Sequence, residues 1–366
     1  MEYNDGNGTP EIGGAFKDER NFYMKTKAIV FTRRGHAEWM DVDASELREN
    51  DVLVRLEVST ISSGTERANL LDDGLLSVHK GAVAGANAYP KRLGYSCSGI
   101  VTAVGSAVTR VKVGDRVACW WTTHSEYNCI PENKVLKLED NISFAEAALW
   151  HIATFPLAAI RKTKLELGES AIVMGMGILG LMAVKLLSAA GAAPIIAVDP
   201  VAEKRELALA QGADYVFDPF AEDFEEKVRA VTGGGAKVAI EVTGNGKALD
   251  QVLDCMARFG RVALLGCTRH SDFTINYYSK VHGPGISLIG AHTMARPNEE
   301  SSAGLFTTYD DMVAIQRLVA AGRLAFLPLV AETHSPAECT EVYNRLAVEK
   351  AFPVVQFDYN LAREEK

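Results

Sequence analysis

The sequence predicts an α/β protein in which a β-rich unit is joined to a doubly wound parallel sheet. Three observations carry this. Between Val52 and Lys137 the chain consists of short apolar runs punctuated by glycine, the pattern of a compact β unit. Between Ala171 and Gly290 apolar strand segments alternate with helical segments of about ten residues, which is the signature of βαβ units. The tail beyond them returns to a mixed pattern.

Taken in order, residues 1–23 are polar, glycine-rich and aperiodic and read as a flexible extension, with Met24 a candidate start. Strands are expected at Lys27–Phe31, Val52–Val58 and Gly99–Val104. The alternating region predicts strands at 171–175, 195–198, 215–217, 238–242, 261–265 and 287–290. Between them it predicts helices at 178–190, 202–211, 221–231 and 247–258. Helices at 308–321 and 336–346 and a strand at 354–357 complete the chain.

Composition narrows the function classes. A length of 366 residues suits two domains at roughly 150 residues each. With 48% apolar and 23% charged residues the chain is globular in composition. The net charge of −9 and the lack of a Lys/Arg run remove the electrostatic basis for a nucleic-acid partner. The longest apolar stretch, Ala171–Val184, has 14 residues and three glycines, short of the roughly 18 that a membrane span needs. The six cysteines, Cys97, Cys119, Cys129, Cys255, Cys267 and Cys339, include no C-x-x-C pair. That spacing suggests a reducing, cytoplasmic setting rather than a disulfide framework, and gives no zinc ribbon.

One motif carries chemistry directly. Gly175-Met176-Gly177-Ile178-Leu179-Gly180 follows a strand and opens a helix. Its glycines permit a tight turn, a close approach of pyrophosphate, and tight packing of helix on strand. The helix N-terminus then presents its positive end to phosphate. Asp199 ends the next strand, 19 residues after Gly180. A carboxylate there accepts from both adenosine-ribose hydroxyls and repels a 2′-phosphate, so NAD is expected over NADP. Lys204 reaches the same ribose.

Further motifs extend this. Gly94-Tyr-Ser-Cys-Ser-Gly99 with Gly105 and Val108, then Gly114-Asp-Arg-Val117, Ser125-Glu-Tyr127 and Gly212-Ala-Asp214, resemble the signatures of the medium-chain dehydrogenase/reductase superfamily, the zinc-type alcohol and polyol dehydrogenases in particular. The resemblance covers Met24 to Tyr359. It implies a GroES-like β-rich catalytic domain (24–153 and 295–366) interrupted by a Rossmann domain (154–294) that binds the dinucleotide. It also implies a homodimer or homotetramer joined at Rossmann edges, for which the apolar segment Ser287–Thr293 is suited.

The sequence departs from the family at the metal. Where zinc members carry the cysteine of I-C-G-T-D, this chain has Ser63; where they carry the histidine of G-H-E, it has Tyr95; and the third ligand position falls on Trp150. A hydroxyl, a phenol and an indole do not replace thiolate and imidazole, so no zinc is expected. The short motifs also resemble a zinc-free-looking branch that includes bacteriochlorophyllide dehydrogenase-like and bi-domain oxidoreductases.

Without the metal, the oxygen that gains charge during hydride transfer needs a donor or proton relay. The resemblance places Thr65 at the proton-relay hydroxyl, Tyr95 as a donor, Glu66 as a group orienting Tyr95 or a sugar hydroxyl, and His151 as a group titrating near neutral pH. The alternatives are that Tyr95 fills the metal void, that Glu66 pairs with Arg67 or Arg92, and that His151 is a core histidine. Ser63, Trp121 and Trp150 are the expected pocket wall, the alternative for the tryptophans being that they are core aromatics. For the nicotinamide the resemblance implies Thr154, Thr243, the backbone of Leu265, Gly266 and Cys267, and that of Ala291, His292 and Thr293. The resulting expectation is a zinc-independent NAD-dependent dehydrogenase of a small alcohol, polyol or sugar, of class EC 1.1.1. The alternatives are an NAD(P)H-dependent quinone or enone reductase and a silent NAD-binding protein.

Overall fold

The computed structural model describes residues 25–72, 89–268 and 273–364; the expected extension at 1–23 lies outside them. An antiparallel ribbon of β1 (Lys25–Arg33) and β2 (His36–Asp43) opens the fold. β3 (Asp51–Thr60) buries Val52, Val54, Leu56 and Val58 on one face, the period-two pattern of a strand. It leads into the short helix α1 (Ser63–Leu70). Next come β4 (Ser96–Val104), β5 (Arg116–Trp120), β6 (Tyr127–Pro131), β7 (Val135–Lys137), α2 (Phe144–Ala147) and α3 (Trp150–Lys162).

The alternating region follows: β8 (Ala171–Met174), α4 (Ile178–Ala190), β9 (Ile195–Val198), α5 (Ala202–Ala210), β10 (Tyr215–Phe217), α6 (Phe224–Thr232), β11 (Ala236–Glu241), α7 (Gly246–Asp254), β12 (Met256–Leu264) and β13 (Ser287–Gly290). These six strands form one parallel sheet in the order β10-β9-β8-β11-β12-β13. Numbered from β8, this is the doubly wound order 3-2-1-4-5-6. Every residue of β8 and β9 is buried, as in a strand covered by helices on both faces.

The chain ends with α8 (Thr308–Ala320), β14 (Val330–His334), α9 (Cys339–Val348), β15 (Val354–Asp358) and α10 (Tyr359–Glu364). β14 and β15 return to the first unit. They complete a seven-stranded sheet in the order β14-β15-β3-β4-β5-β7, with β6 paired to β3.

Three of the expected helices depart from the sequence reading by three residues or more. α6 starts at Phe224 rather than Ala221, because the Asp218 carboxylate accepts the Phe220 N–H at 2.9 Å and holds a turn there. α7 stops at Asp254 rather than Arg258: Met256 pairs with Ala236 and already belongs to β12. The segment from Pro336 is a 3₁₀ turn, closed by a Ser335–Glu338 capping box, before α9 begins at Cys339.

α3 was not foreseen at all. Ten of its residues are buried, from Trp150 round to Ile160, so it has no polar face to betray a helical period. It sits between the sheets. Trp150, Ile152 and Phe155 share one core with Trp120 of β5, Val173 of β8, Leu181 of α4 and Ile315 of α8. Among the described residues, no helix is long and apolar enough to cross a membrane.

Candidate functional site

Strand order reverses beside β8, which lies between β9 and β11. In sheets of this kind the crevice beyond the strand ends at that point takes the ligand. The glycine loop lies there. Gly175 has φ +100, and a Cβ on Gly180 would stand 1.8 Å from the Gly175 carbonyl oxygen. No side chain caps the first turn of α4, formed by Ile178, Leu179 and Gly180 after Gly177. Its N–H groups and positive dipole end suit a phosphate. These residues therefore fit a dinucleotide pyrophosphate. Gly180→Ala is expected to force the turn apart and weaken NADH binding at least tenfold, read by NADH fluorescence titration; unchanged affinity would contradict the fit.

Asp199 is buried and accepts from the Met176 N–H at 2.8 Å and the Val201 N–H at 2.9 Å. Lys204 Nζ stands 4.0 Å from it. Across the crevice, a Cβ on Gly175 would lie 2.8 Å from Thr243 Cγ2, so the loops after β8 and β11 touch. The N–H groups of Leu265 and Gly266 both donate to the Glu241 carbonyl, and that of Ala291 to Leu264. Those three donors are spent inside the protein. Leu265, Gly266 and Cys267 follow β12, and Ala291, His292 and Thr293 follow β13, so the residues expected beside the nicotinamide sit at the ends of two neighbouring strands.

The second group of residues surrounds Tyr95. Its hydroxyl donates to Ser62 Oγ and lies 3.4 Å from Thr65 Oγ1. Ser63 is the first residue of α1 and half-buried. The Tyr95 ring is 5.6 Å from that of Trp121, 5.5 Å from His151 and 5.7 Å from Phe155. Trp121 has φ +57, a strained backbone for a bulky residue, and remains 39% exposed. It is the indole available to a ligand.

Three expectations are corrected here. Trp150 is not a pocket wall: it is fully buried, and its Nε1 donates to Glu146 at 3.1 Å. His151 is not a group titrating near neutral pH. Burial, aided by the charge of Arg296, pushes its pKa down to about 3, and neither ring nitrogen has a partner. Glu66 does not pair with Arg67 or Arg92 and does not touch Tyr95 itself; it meets Ser62, the partner of Tyr95. It is fully buried and takes hydrogen bonds from Tyr343 Oη at 2.5 Å and from the Ser62 N–H at 2.8 Å, with His124 Nε2 3.2 Å away.

The side chains at the family's metal positions do not fit zinc. Tyr95 donates to Ser62, the Trp150 indole nitrogen has no lone pair to give, and Ser63 is an alcohol. Among the described residues no group of three His, Cys, Asp or Glu side chains could hold a metal.

Thr154 lies one turn beyond His151 on α3. Its hydroxyl donates to the His151 carbonyl at 2.7 Å, and its own carbonyl accepts from Arg296 at 2.7 Å. Arg296 faces Asp311, which also accepts from Arg161 Nε at 2.8 Å. The sequence reading missed Ser62, His124, Arg296, Asp311 and Tyr343. Apart from the Ser62–Glu66 contact, their partners lie ten to hundreds of residues away, and no local pattern marks them.

Comparison with known proteins follows the two sheets. Residues 48–147 match the alcohol dehydrogenase GroES-like domain, and residues 179–306 match the zinc-binding dehydrogenase family. The chain is 31% identical to L-threonine 3-dehydrogenase of Pyrococcus abyssi over 272 residues, covering 66% of this chain and 76% of that protein. It is 32% identical to sorbitol dehydrogenase of Bacillus subtilis over 218 residues, covering 51% and 62%. The chain thus spans about three fifths of the length of that relative, and 61% of D-guloside 3-dehydrogenase of Shigella flexneri. The solved structure of 2R,3R-butanediol dehydrogenase from Bacillus subtilis superposes with a TM-score of 0.76 at 24% identity, over 91% of this chain and 99% of that one. Galactitol-1-phosphate dehydrogenase from Escherichia coli gives 0.78 at 20% identity with the same coverage. At these identities the two structures show a common fold.

Proposed function

Because the chain belongs to the medium-chain dehydrogenase/reductase superfamily, among its zinc-type alcohol dehydrogenase-like members, we propose that it transfers a hydride between NAD(H) and an alcohol, polyol or sugar-type substrate, or its carbonyl, without a metal. The observation that carries this is the Tyr95 hydroxyl beside the hydroxyls of Ser62 and Thr65, in the motif whose resemblance equates Tyr95 with the metal histidine. The nicotinamide, when bound, accepts or supplies the hydride.

The protein's part is to hold the proton. Burial pushes the Tyr95 phenol up to about 12, against the hydrogen bonds with Ser62 and Thr65. It therefore keeps its proton at working pH. Hydroxyl hydrogens rotate: when Ser62 donates to Tyr95, the phenol proton is free to donate to a substrate oxygen that gains negative charge. In the oxidative direction the substrate's hydroxyl proton leaves by exchange along the hydroxyls: Tyr95 accepts it as it passes its own to Ser62 or Thr65, which passes one on to water, so that every hydroxyl ends neutral. Gly175–Gly180 and the α4 N-terminus hold the pyrophosphate, and Asp199 selects an unphosphorylated ribose. The named relatives, which include sorbitol, butanediol and L-threonine dehydrogenases, support an alcohol substrate. A pair of copies joined along β13, whose Ser287, Leu288 and Gly290 are exposed, completes the reading.

The test is turnover of a polyol and sugar panel, followed at 340 nm with NAD⁺ and with NADP⁺. NAD⁺ is expected to give at least tenfold higher kcat/KM. Asp199→Ser is expected to narrow that preference, and treatment with a zinc chelator to change nothing. Preference for NADPH with an enone acceptor would replace the reading with a quinone or enone reductase. NADH binding without turnover would make the protein a silent binder.

A further inference from the structure

We propose that His124 is a positioning residue for Tyr95: it braces the two loops that bring the Tyr95 and Ser62 hydroxyls together. The inference rests on the reading of Tyr95 given above. His124 lies just after β5, is 1% exposed, and has both ring nitrogens engaged.

One arm of the brace runs through Glu66. His124 Nε2 stands 3.3 and 3.2 Å from the two Glu66 oxygens. Glu66 Oε1 accepts the Ser62 N–H at 2.8 Å, and the Ser62 side chain is the partner of Tyr95. The Glu66 carboxylate thus holds the residue that meets the phenol, and the imidazole holds the carboxylate.

The other arm is steric and reaches the tyrosine from its own loop. Gly94, the residue before Tyr95, has φ +111, and a Cβ built there would lie 2.4 Å from His124 Cγ. The His124 N–H donates to the Leu93 carbonyl at 2.6 Å. The ring therefore lies against the Leu93–Gly94 backbone with no room for a side chain between. This explains a glycine at this position in terms other than turn chemistry.

The C-terminal segment locks the brace. His124 Nδ1 is 2.7 Å from Ser59 Oγ, which is 3.2 Å from Tyr359 Oη. The Phe357 ring meets the imidazole edge-on at 5.5 Å, and Tyr343 Oη holds the far oxygen of Glu66 at 2.5 Å. With Nε2–H donating to Glu66, Nδ1 is the acceptor for Ser59; the ring cannot turn without losing both bonds. Removing either contact frees Ser62 or the Gly94 loop and lets the two hydroxyls part.

The test compares His124→Phe, which fills the space without hydrogen bonds, with His124→Gln, whose terminal amide reaches Glu66. His124→Phe is expected to lower kcat at least tenfold, with the NADH dissociation constant and KM for NAD⁺ within twofold of the parent. His124→Gln is expected to recover most of the loss. In a Tyr95→Phe background, His124→Phe is expected to lower kcat no further, whereas a general structural role would lower it by the same factor in both backgrounds. Should His124→Phe fail to fold, His124→Gln and Ser59→Ala carry the comparison, the latter loosening the ring from its other side. A ¹⁹F NMR signal from fluorotyrosine at position 95 gives a readout without turnover: it is expected to shift or broaden in the His124 variant and to return in His124→Gln. An unmoved signal and a kcat within twofold overturn the brace. Full activity in Tyr95→Phe alone would instead overturn the reading of Tyr95.

Discussion

Replacing Tyr95 by Phe is expected to lower kcat by about 10²- to 10³-fold, the usual cost of losing one donor to a developing oxyanion, while NADH binding stays unchanged. The substitution keeps the ring that meets Trp121, His151 and Phe155, so the fold is spared and only the hydroxyl is lost. The pH dependence follows from the same surroundings. Burial raises the phenol to about 12, so the donor is present at all pH values below that and is lost only as pH rises through it. Burial lowers His151 to about 3, so its imidazole is neutral at all pH values above that. Neither group gives a limb in kcat between about pH 5 and 10. A limb near neutrality that disappears in His151→Asn would show that the imidazole titrates after all.

Asp311→Ala is expected to cost about 3–5 kcal/mol of stability, the range for breaking a buried ion pair by removing one partner. The carboxylate is fully buried between Arg161 and Arg296. Arg161 is a quarter exposed and can relax towards water. Arg296 is 7% exposed and cannot. Its guanidinium also holds the Thr154 carbonyl and, at 3.2 Å, the Thr308 hydroxyl. Losing Asp311 therefore loosens the segment that follows β13 as well as α8, and KM for NAD⁺ is expected to rise alongside the fall in the urea midpoint. A midpoint equivalent to less than about 1 kcal/mol of loss would show that water replaces the carboxylate at little cost.

Much of the fold was legible because its signals are local. β9, β10, β13 and α4 fall on the residues expected for them, since short apolar strands and the glycines on either side of α4, Gly177 and Gly191, leave little choice of boundary. α3 was illegible because most of it is buried, its His151 and Thr154 included, so no exposed polar stripe marks it off from its surroundings. The candidate site divides in the same way. The Gly175–Gly180 turn can be read in six consecutive residues. The surroundings of Glu66 cannot, because its partners His124 and Tyr343 lie 58 and 277 residues away. The local alternatives, Arg67 and Arg92, were the wrong partners: Arg67 donates instead to the carbonyls of Ala347 and Glu349. Trp150 illustrates a third limit. Counting residues placed it at a metal position, but Glu146, four residues back on the same stretch of chain, takes its indole N–H and turns it into the core.

α3 also bears on how the molecule comes apart. The expected division between the two units, after Ala153, cuts this helix between His151 and Thr154. The residues on either side of the cut share one apolar cluster with both sheets and with α8. Neither unit owns a complete interior without it. Heat or denaturant would therefore meet a single cooperative transition rather than two in succession, and a fragment beginning at Thr154 would carry an uncovered hydrophobic face where the first turn of α3 had been.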